Sequence, residues 1–333
     1  MKLSYQQIKD EMARVLVKYG MARESAEESA KLFADNTLDG VASHGVNRFP
    51  RVISYIEKGY IDLAAKPSLV SSLGALEKWD GNLGMGNLNA KQCMDRAIEL
   101  AEKYGIGLVA LRNTNHWMRG GAYGWQAANA GYVGICWTNT QPNMPAWGAK
   151  DRRIGNNPVI IALPRNEGHV VVDAAMAQYS YGKIEEMKYA GKQLPFPGGY
   201  DEAGNLTTDP VEIMKTWRVI PIGFWKGSGL SIVLDLLAAV LSEGNSTYEV
   251  GKLGEDEYAL SQVLIAIDIR KASGEEYAEK VMNDTIADIK ASVPVSEQMP
   301  ILYPGEPELM IRRRNAENGI EVEDSVWKTI TSF

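Results

Sequence analysis

Between residues 65 and 270 the chain is cut into short β-rich runs, LGALEKWDG, GIGLVALRN, YVGICWTNT, PVIIALP and HVVVDA, each bounded by Gly, Asn or Pro. Two helices stand out among them. Asn87 to Tyr104 is amphipathic through Met94, Ala97, Ile98 and Ala101. Leu230 to Ser242 is apolar nearly all round and is expected to be a buried core helix. The run VLIAIDI at 263–269 reads as a further buried strand. This texture predicts a mixed α/β central domain over residues 66–274.

The two ends read as helix. Ser4 and Gln7 have the spacing of a capping box, in which hydroxyl and amide each satisfy a free backbone group. Ile8, Met12, Val15 and Leu16 then recur at helical spacing, and Gly20 stops the run. A second helix carries Ala26, Ala30, Leu32 and Phe33, and a third spans Val52 to Lys58. From residue 275 the tail returns to helix, passes through the loop YPGEPE, and ends in a short helix at Asp324 to Ile330. Residues 1–65 and 275–333 are therefore expected to form one helical domain assembled from both chain ends.

Composition narrows the function classes. With 45% hydrophobic and 23% charged residues, most of the length folds. Lys and Arg number 35 against 42 Asp and Glu, a net charge of −7, which argues against nucleic acid and against an anionic membrane. The longest greasy stretch, Ser231 to Leu241, is too short to span a bilayer and carries Asp235. Cys93 and Cys136 sit in apolar stretches and suit a reducing compartment, and the N-terminus has no signal-peptide core. The expectation is a cytoplasmic protein.

Several residue groups carry chemistry. GMGNLN at 84–89 is a near miss to a dinucleotide fingerprint, but ALEKWDGN before it is too polar for a central parallel strand. A tight turn before a helix is the better reading. In GFWKGSGLSIVLDLL, Lys226 precedes Gly227-Ser228-Gly229 at a helix start, where free N–H groups and a lysine suit a phosphate or carboxylate. A glycine-softened turn capped by Ser228 explains the same residues. His44 and Arg48 in SHGVNRF share one face if that turn is helical. Arginine grips a carboxylate with two parallel hydrogen bonds, and a nearby imidazole can protonate a carbonyl oxygen. A surface histidine beside a solvated arginine is the alternative. His116 lies in RNTNHWMRGG after a strand, where Asn113, Asn115 and Arg119 offer polar groups to a hydroxylated ligand. His169 has no evident partner. No HxH, HExxH, CxxC or GxSxG spacing occurs, so neither a metal site nor a serine hydrolase is expected.

Taken together, SHGVNRFPR, ALRNTNHWMRGGAYGWQA, CWTNT, WGAK, RIGNNP, VVVDAA, FWKGSGLSIVLDLLA and YPGE resemble the non-Rossmann malate/L-lactate dehydrogenase family along the whole chain. The resemblance implies a nicotinamide-binding central domain with a mixed or antiparallel sheet, and commonly a homodimer whose sites use both chains. It implies hydride transfer from NADH, with NADPH left open, to the C2 carbonyl of a small keto acid. The expected substrate is 2,3-diketo-L-gulonate and the product 3-keto-L-gulonate. Another 2-hydroxy acid of the family (malate, lactate, ureidoglycolate) and a non-catalytic sugar-acid binding protein remain the alternatives. By this resemblance His44 is the proton donor and His116 the runner-up catalyst, while Arg48, Asn47 and Asn115 contact substrate. Cofactor contacts fall on Thr140, on His169, Val170, Val171, Val172, Asp173, Ala174 and Ala175, on Trp225 and Lys226, and on Gly305, Glu306 and Pro307. Many relatives carry a serine in the turn where Asp173 is followed by Ala174-Ala175, so a hydroxyl contact is missing there or supplied elsewhere.

Overall fold

The structure is a computed structural model describing residues 1–333. Seven strands form its central sheet: β1 (Ser68–Leu73), β2 (Leu76–Asp80), β3 (Ile106–Thr114), β4 (Tyr132–Thr138), β5 (Val159–Leu163), β6 (Val170–Ala174) and β7 (Leu260–Asp268). Their spatial order is β1-β2-β3-β7-β4-β5-β6, and only β2 with β3 is parallel. The main helices are α1 (Tyr5–Lys18), α2 (Arg23–Leu38), α3 (Phe49–Glu57), α4 (Gly86–Tyr104), α5 (Gly121–Asn129), α6 (Trp225–Ser242), α7 (Glu275–Lys290), α8 (Glu306–Asn318) and α9 (Asp324–Ser332).

The mixed sheet expected from the sequence is present, and β7 explains its own apolar run. It lies between β3 and β4 and is covered on both faces, so it has no need to alternate. The polar strand β2 is nevertheless the parallel one, joined to β3 through α4. It tolerates its charges because it sits one place from the sheet edge. There Glu77 is buried against Arg96, whose Nε and Nη2 donate to it at 2.9 and 2.8 Å, with Trp79 Nε1 donating at 2.9 Å.

At the N-terminus the capping box forms as expected. Gln7 N–H donates to Ser4 Oγ at 3.2 Å, and Ser4 N–H donates to Gln7 Oε1 at 2.8 Å. Ile8, Met12, Val15 and Leu16 enter a core shared by α1, α2 and α3 with Ile320, Val322 and Ile330. A two-residue ladder, Lys2–Leu3 against Ile320–Glu321, ties the chain ends together. We propose that residues 1–65 and 275–333 act as one unit beside 66–274. Within it α7 is peripheral: Arg165 Nε donates to its Asn283 at 2.6 Å, and Asn166 N–H donates to its Glu279, both from the β5–β6 turn.

Helix α6 departs from the sequence reading. It begins at Trp225 rather than Leu230 and is not buried all round. Its buried side carries Leu234 and Ala238 against the sheet and Gly227, Ser228 and Ser231 against the loops of Ile222, Trp147 and Gly155. Its large apolar residues face outward, with Val240 72%, Leu230 54%, Leu236 53% and Val233 52% exposed. Composition reports how apolar a helix is, whereas packing decides which side meets the sheet. It is also the one helix long and apolar enough to cross a membrane.

Candidate active site

The link between α2 and α3 is two 3₁₀ turns, Ala42–His44 and Val46–Arg48, rather than one helical turn. Gly45 separates them because a Cβ there would stand 2.2 Å from Thr37 Oγ1. That hydroxyl accepts Val46 N–H at 3.0 Å, and Asn36 Nδ2 donates to His44 O at 3.1 Å. The turns are thus fastened to α2, which fixes where His44 and Arg48 stand. Asn47, on the second turn, is exposed.

Opposite them, β3 runs into the loop carrying Asn115 and His116. Asn115 Nδ2 donates to the carbonyls of Tyr60, Leu83 and Gly84 at 3.0, 2.9 and 3.0 Å, leaving its buried Oδ1 without a partner. His116 stacks on His44, with ring centroids 5.8 Å apart and planes 22° apart. Met118 adopts a left-handed backbone (φ 68°), and its N–H donates to His116 Nδ1 at 2.9 Å. Neutral His116 therefore carries its proton on Nε2. That nitrogen stands 4.0 Å from Glu257 Oε1.

Arg48, Arg51, Tyr55, Asn115 and His116 line one cleft. Arg51 donates to Tyr55 Oη through Nε and Nη2, at 3.2 and 3.0 Å. The guanidinium of Arg48 has no hydrogen bond or ion pair in the chain, although burial opposes its charge. Burial, Arg48 and Arg119 push His44 down to about 4, so it is neutral at pH 7 in the free site. His116 is pushed well below its ordinary value, first by burial and then by Arg48 and His44. Burial raises Glu257.

Glu257 was missed by sequence reasoning. It is the third acid of Glu255-Asp256-Glu257, and burial alone distinguishes it from a solvated run: it is 5% exposed. Arg119, by contrast, offers nothing to a ligand. It is buried in an ion pair to Asp39 at 2.5 Å, and Asp39 also receives Arg312 at 2.6 Å.

Two of the segments expected to hold a cofactor, the edge strand from His169 and the turn at Gly305, meet at the sheet edge. Val171 N–H donates to Pro304 O at 2.9 Å, and a Cβ on Gly305 (φ 95°) would lie 3.0 Å from His169 O. His169 itself is occupied: Nδ1 accepts Arg165 N–H at 3.0 Å, and Nε2 meets Asn129 Oδ1 at 2.9 Å. Asp173 braces the loop, accepting Gly121 N–H at 2.8 Å. Thr140 is buried, and Asn157 Oδ1 accepts its N–H at 3.0 Å.

The free amides anticipated at the α6 start are already used. Those of Lys226, Gly227 and Ser228 donate to the carbonyls of Gly223, Ile222 and Phe224. Ser228 is not a cap; its Oγ accepts Trp147 N–H at 3.0 Å. Trp225 and Lys226 are exposed beside this start, and the Lys226 ammonium has no acidic partner. The GMG turn is filled by its own chain: a Cβ on Gly86 would lie 2.3 Å from His116 O, so no phosphate enters there.

Comparison with known proteins identifies the family of the chain and its fold. A family model described as malate/L-lactate dehydrogenase matches residues 3–331. Curated relatives named 2,3-diketo-L-gulonate reductase are 48% identical in Citrobacter koseri and 49% in Pasteurella multocida, each over 333 residues covering 100% of both chains. Among solved structures, malate dehydrogenase from Entamoeba histolytica has a TM-score of 0.94 at 26% identity, covering 100% of this chain and 96% of its own. Sulfolactate dehydrogenase from Methanocaldococcus jannaschii has a TM-score of 0.90 at 30% identity, with the same coverage. Sequence and fold agree: this chain belongs to the malate/L-lactate dehydrogenase family.

Proposed function

We propose that this oxidoreductase reduces the C2 carbonyl of 2,3-diketo-L-gulonate to the hydroxyl of 3-keto-L-gulonate, with NADH as reductant, as a cytoplasmic homodimer. The observation that carries the reading is Arg48, a guanidinium without a protein partner in a cleft that His116 lines and against whose ring His44 stacks. A planar fork in that position is built for a carboxylate. The relatives' name supplies the identity of the keto acid.

The residues fit a nicotinamide dinucleotide. Trp125 Nε1 is a buried donor with no acceptor, and the same ring lies 3.4 Å from where a Gly305 Cβ would be and 5.5 Å from the His169 ring. An unused donor between the two expected contact segments suits an oxygen-rich ligand. The backbone of His169–Ala175, Gly305–Pro307, and the Lys226 ammonium would hold the cofactor, which supplies hydride. The chain's own groups then do the rest. Arg48 fixes the substrate carboxylate, and Asn115 Oδ1 accepts from a substrate hydroxyl. His116 donates through Nε2–H. His44 gives its proton to the carbonyl oxygen as hydride arrives at carbon.

The homodimer rests on the outward apolar stripe of α6. On the same side of the sheet, the cross-strand pair Ile161 and Val172 is also exposed, at 41% and 38%. The test is loss of NADH absorbance with 2,3-diketo-L-gulonate, malate-type and lactate-type keto acids, using wild type and His44→Ala. We expect turnover of the diketo acid by wild type, a loss of about 10²–10⁴ in kcat for His44→Ala, and NADH binding unchanged. Keto-acid binding without NADH consumption overturns the reductase, and full turnover by His44→Ala overturns the role of His44.

A further inference from the structure

Glu257 is a carboxylate buried beside the cleft, 4.0 Å from His116, to which the reaction as described gives no task. It is held from two directions. Gln141 N–H donates to Oε2 at 3.0 Å, and its own N–H donates to Tyr55 Oη at 3.2 Å. These contacts leave Oε1 directed at His116 Nε2, 4.0 Å away. The groups around it are few. Arg48 comes from the second 3₁₀ turn, Arg51 and Tyr55 from α3, and His116 from the loop after β3; the Gln141 amide comes from the loop after β4. Its neighbour Asp256 is paired with Lys58 at 2.6 Å, which holds its carboxyl below the ordinary value with help from the nearby Arg51 charge and Tyr55 hydroxyl.

We infer that Glu257 is a positioning residue that holds the His116 imidazole as its Nε2–H tautomer and supplies the buried negative charge that offsets Arg48 and Arg51. The inference rests on the reductase reading of the same site. Met118 N–H occupies Nδ1 at 2.9 Å, and the Glu257 carboxylate, 4.0 Å from Nε2 and so beyond hydrogen-bond range, favours the remaining proton there by its charge. With both histidines neutral, Arg48, Arg51 and Glu257 sum to one positive charge, which matches a monoanionic keto acid. Without Glu257 the site would carry two positive charges. Substrate anion would then be held at least as well, while any imidazolium needed for proton transfer would be disfavoured. An opposite charge within about 4–6 Å moves a pKa by about 1–3 units, so removing this one is a large perturbation.

The decisive variants are Glu257→Gln, which keeps shape and an acceptor for Gln141 N–H, and Glu257→Asp, which keeps charge. For keto-acid reduction we expect Glu257→Gln to lower kcat about tenfold or more with KM unchanged or lower. The pH at which kcat falls should move down by about one unit or more, and Glu257→Asp should restore both in large part. A merely structural role would raise KM or leave the pH limb in place, and either result overturns the inference. So does a Gln variant with wild-type kcat and pH profile.

Nitrogen-15 NMR of the histidines separates this from failure of the reductase reading, because it needs no turnover. In wild type His116 should show protonated Nε2 and bare Nδ1 at pH 7. In Glu257→Gln that tautomer should lose population, or the histidines should titrate at lower pH. If Glu257→Gln does not fold, the Asp variant and the wild-type tautomer carry the test. Protonated Nδ1 in wild type overturns the assignment.

Discussion

A histidine held at about 4 cannot serve as an acid at neutral pH unless the substrate changes its surroundings. At pH 7 about one His44 in a thousand is protonated in the free site, against about one in four for an exposed histidine. Burial, Arg48 and Arg119 are the causes, and one of them is removable. A carboxylate seated on Arg48 cancels that charge next to the ring. In an effective dielectric of about 20, one unit charge at neighbour range contributes about 2–3 kcal/mol, or one to two pK units.

Two measurements follow for a reduction that needs protonated His44. The ratio kcat/KM reports the free enzyme, so it should fall about tenfold per pH unit between about pH 5.5 and 8. Meanwhile kcat, which reports the complex, should stay level to higher pH. In the reverse direction His44 acts as base and is already neutral, so kcat/KM for the hydroxy acid should be flat on this account across the same range. Direct NMR titration should place His44 near 4 in wild type and about one to two units higher in Arg48→Gln. A wild-type His44 titrating near 6.5, or one unmoved by Arg48→Gln, refutes the argument.

Other consequences are simpler to check. Arg48→Lys keeps charge but loses the planar fork, so KM for carboxylate substrates should rise, and equal KM values would put the carboxylate elsewhere. Leu236→Asp with Val240→Asp should turn the dimer into monomer in sedimentation, since each apolar side chain buried at an interface contributes about 1.5–3 kcal/mol; unchanged mass would show that α6 is not the contact. Gly86→Ala should destabilise by several kcal/mol in denaturant unfolding, because the new Cβ strikes backbone at 2.3 Å that cannot step aside. For His44 the folded pKa lies below the unfolded value near 6.5. Its contribution to stability is therefore present above about pH 6.5 and lost as pH falls toward 4. Thermal unfolding should show a shallower acid slope in His44→Gln than in wild type.

What the sequence disclosed depended on whether a signal was local. The α1 boundary was legible because Ser4, Gln7 and the Ile8–Leu16 periodicity each fix it within one turn of helix. Strand β7 was legible because a strand covered on both faces has to be apolar throughout. The Tyr181–Tyr189 and Pro210–Thr216 helices were not anticipated, since neither presents a continuous apolar stripe: each buries one large aliphatic residue, Ile184 and Ile213. The outward turn of α6 was equally hidden. Gly227, Ser228 and Ser231 look like loop residues in sequence, yet they sit inside the helix where its first turns press on the loops of Ile222, Trp147 and Gly155–Asn157.

The site divides along the same line. His44 and Arg48 could be matched by spacing, and they stand on two 3₁₀ turns rather than one helix, near enough for the Arg48 charge to act on the His44 ring. Spacing could not predict that Arg119 and Arg48 would have opposite fates a loop apart. Arg119 meets Asp39, which comes from the end of α2, and its charge is spent on holding that helix to the rest of the protein. Arg48 meets no acid within ion-pair distance, and Glu257, though near enough for its charge to be felt, stands instead 4.0 Å from His116. The separation matters chemically. Had Glu257 closed on Arg48, a substrate carboxylate would have to displace it; by engaging Gln141 and Tyr55 instead, it leaves the guanidinium open while still offsetting its charge.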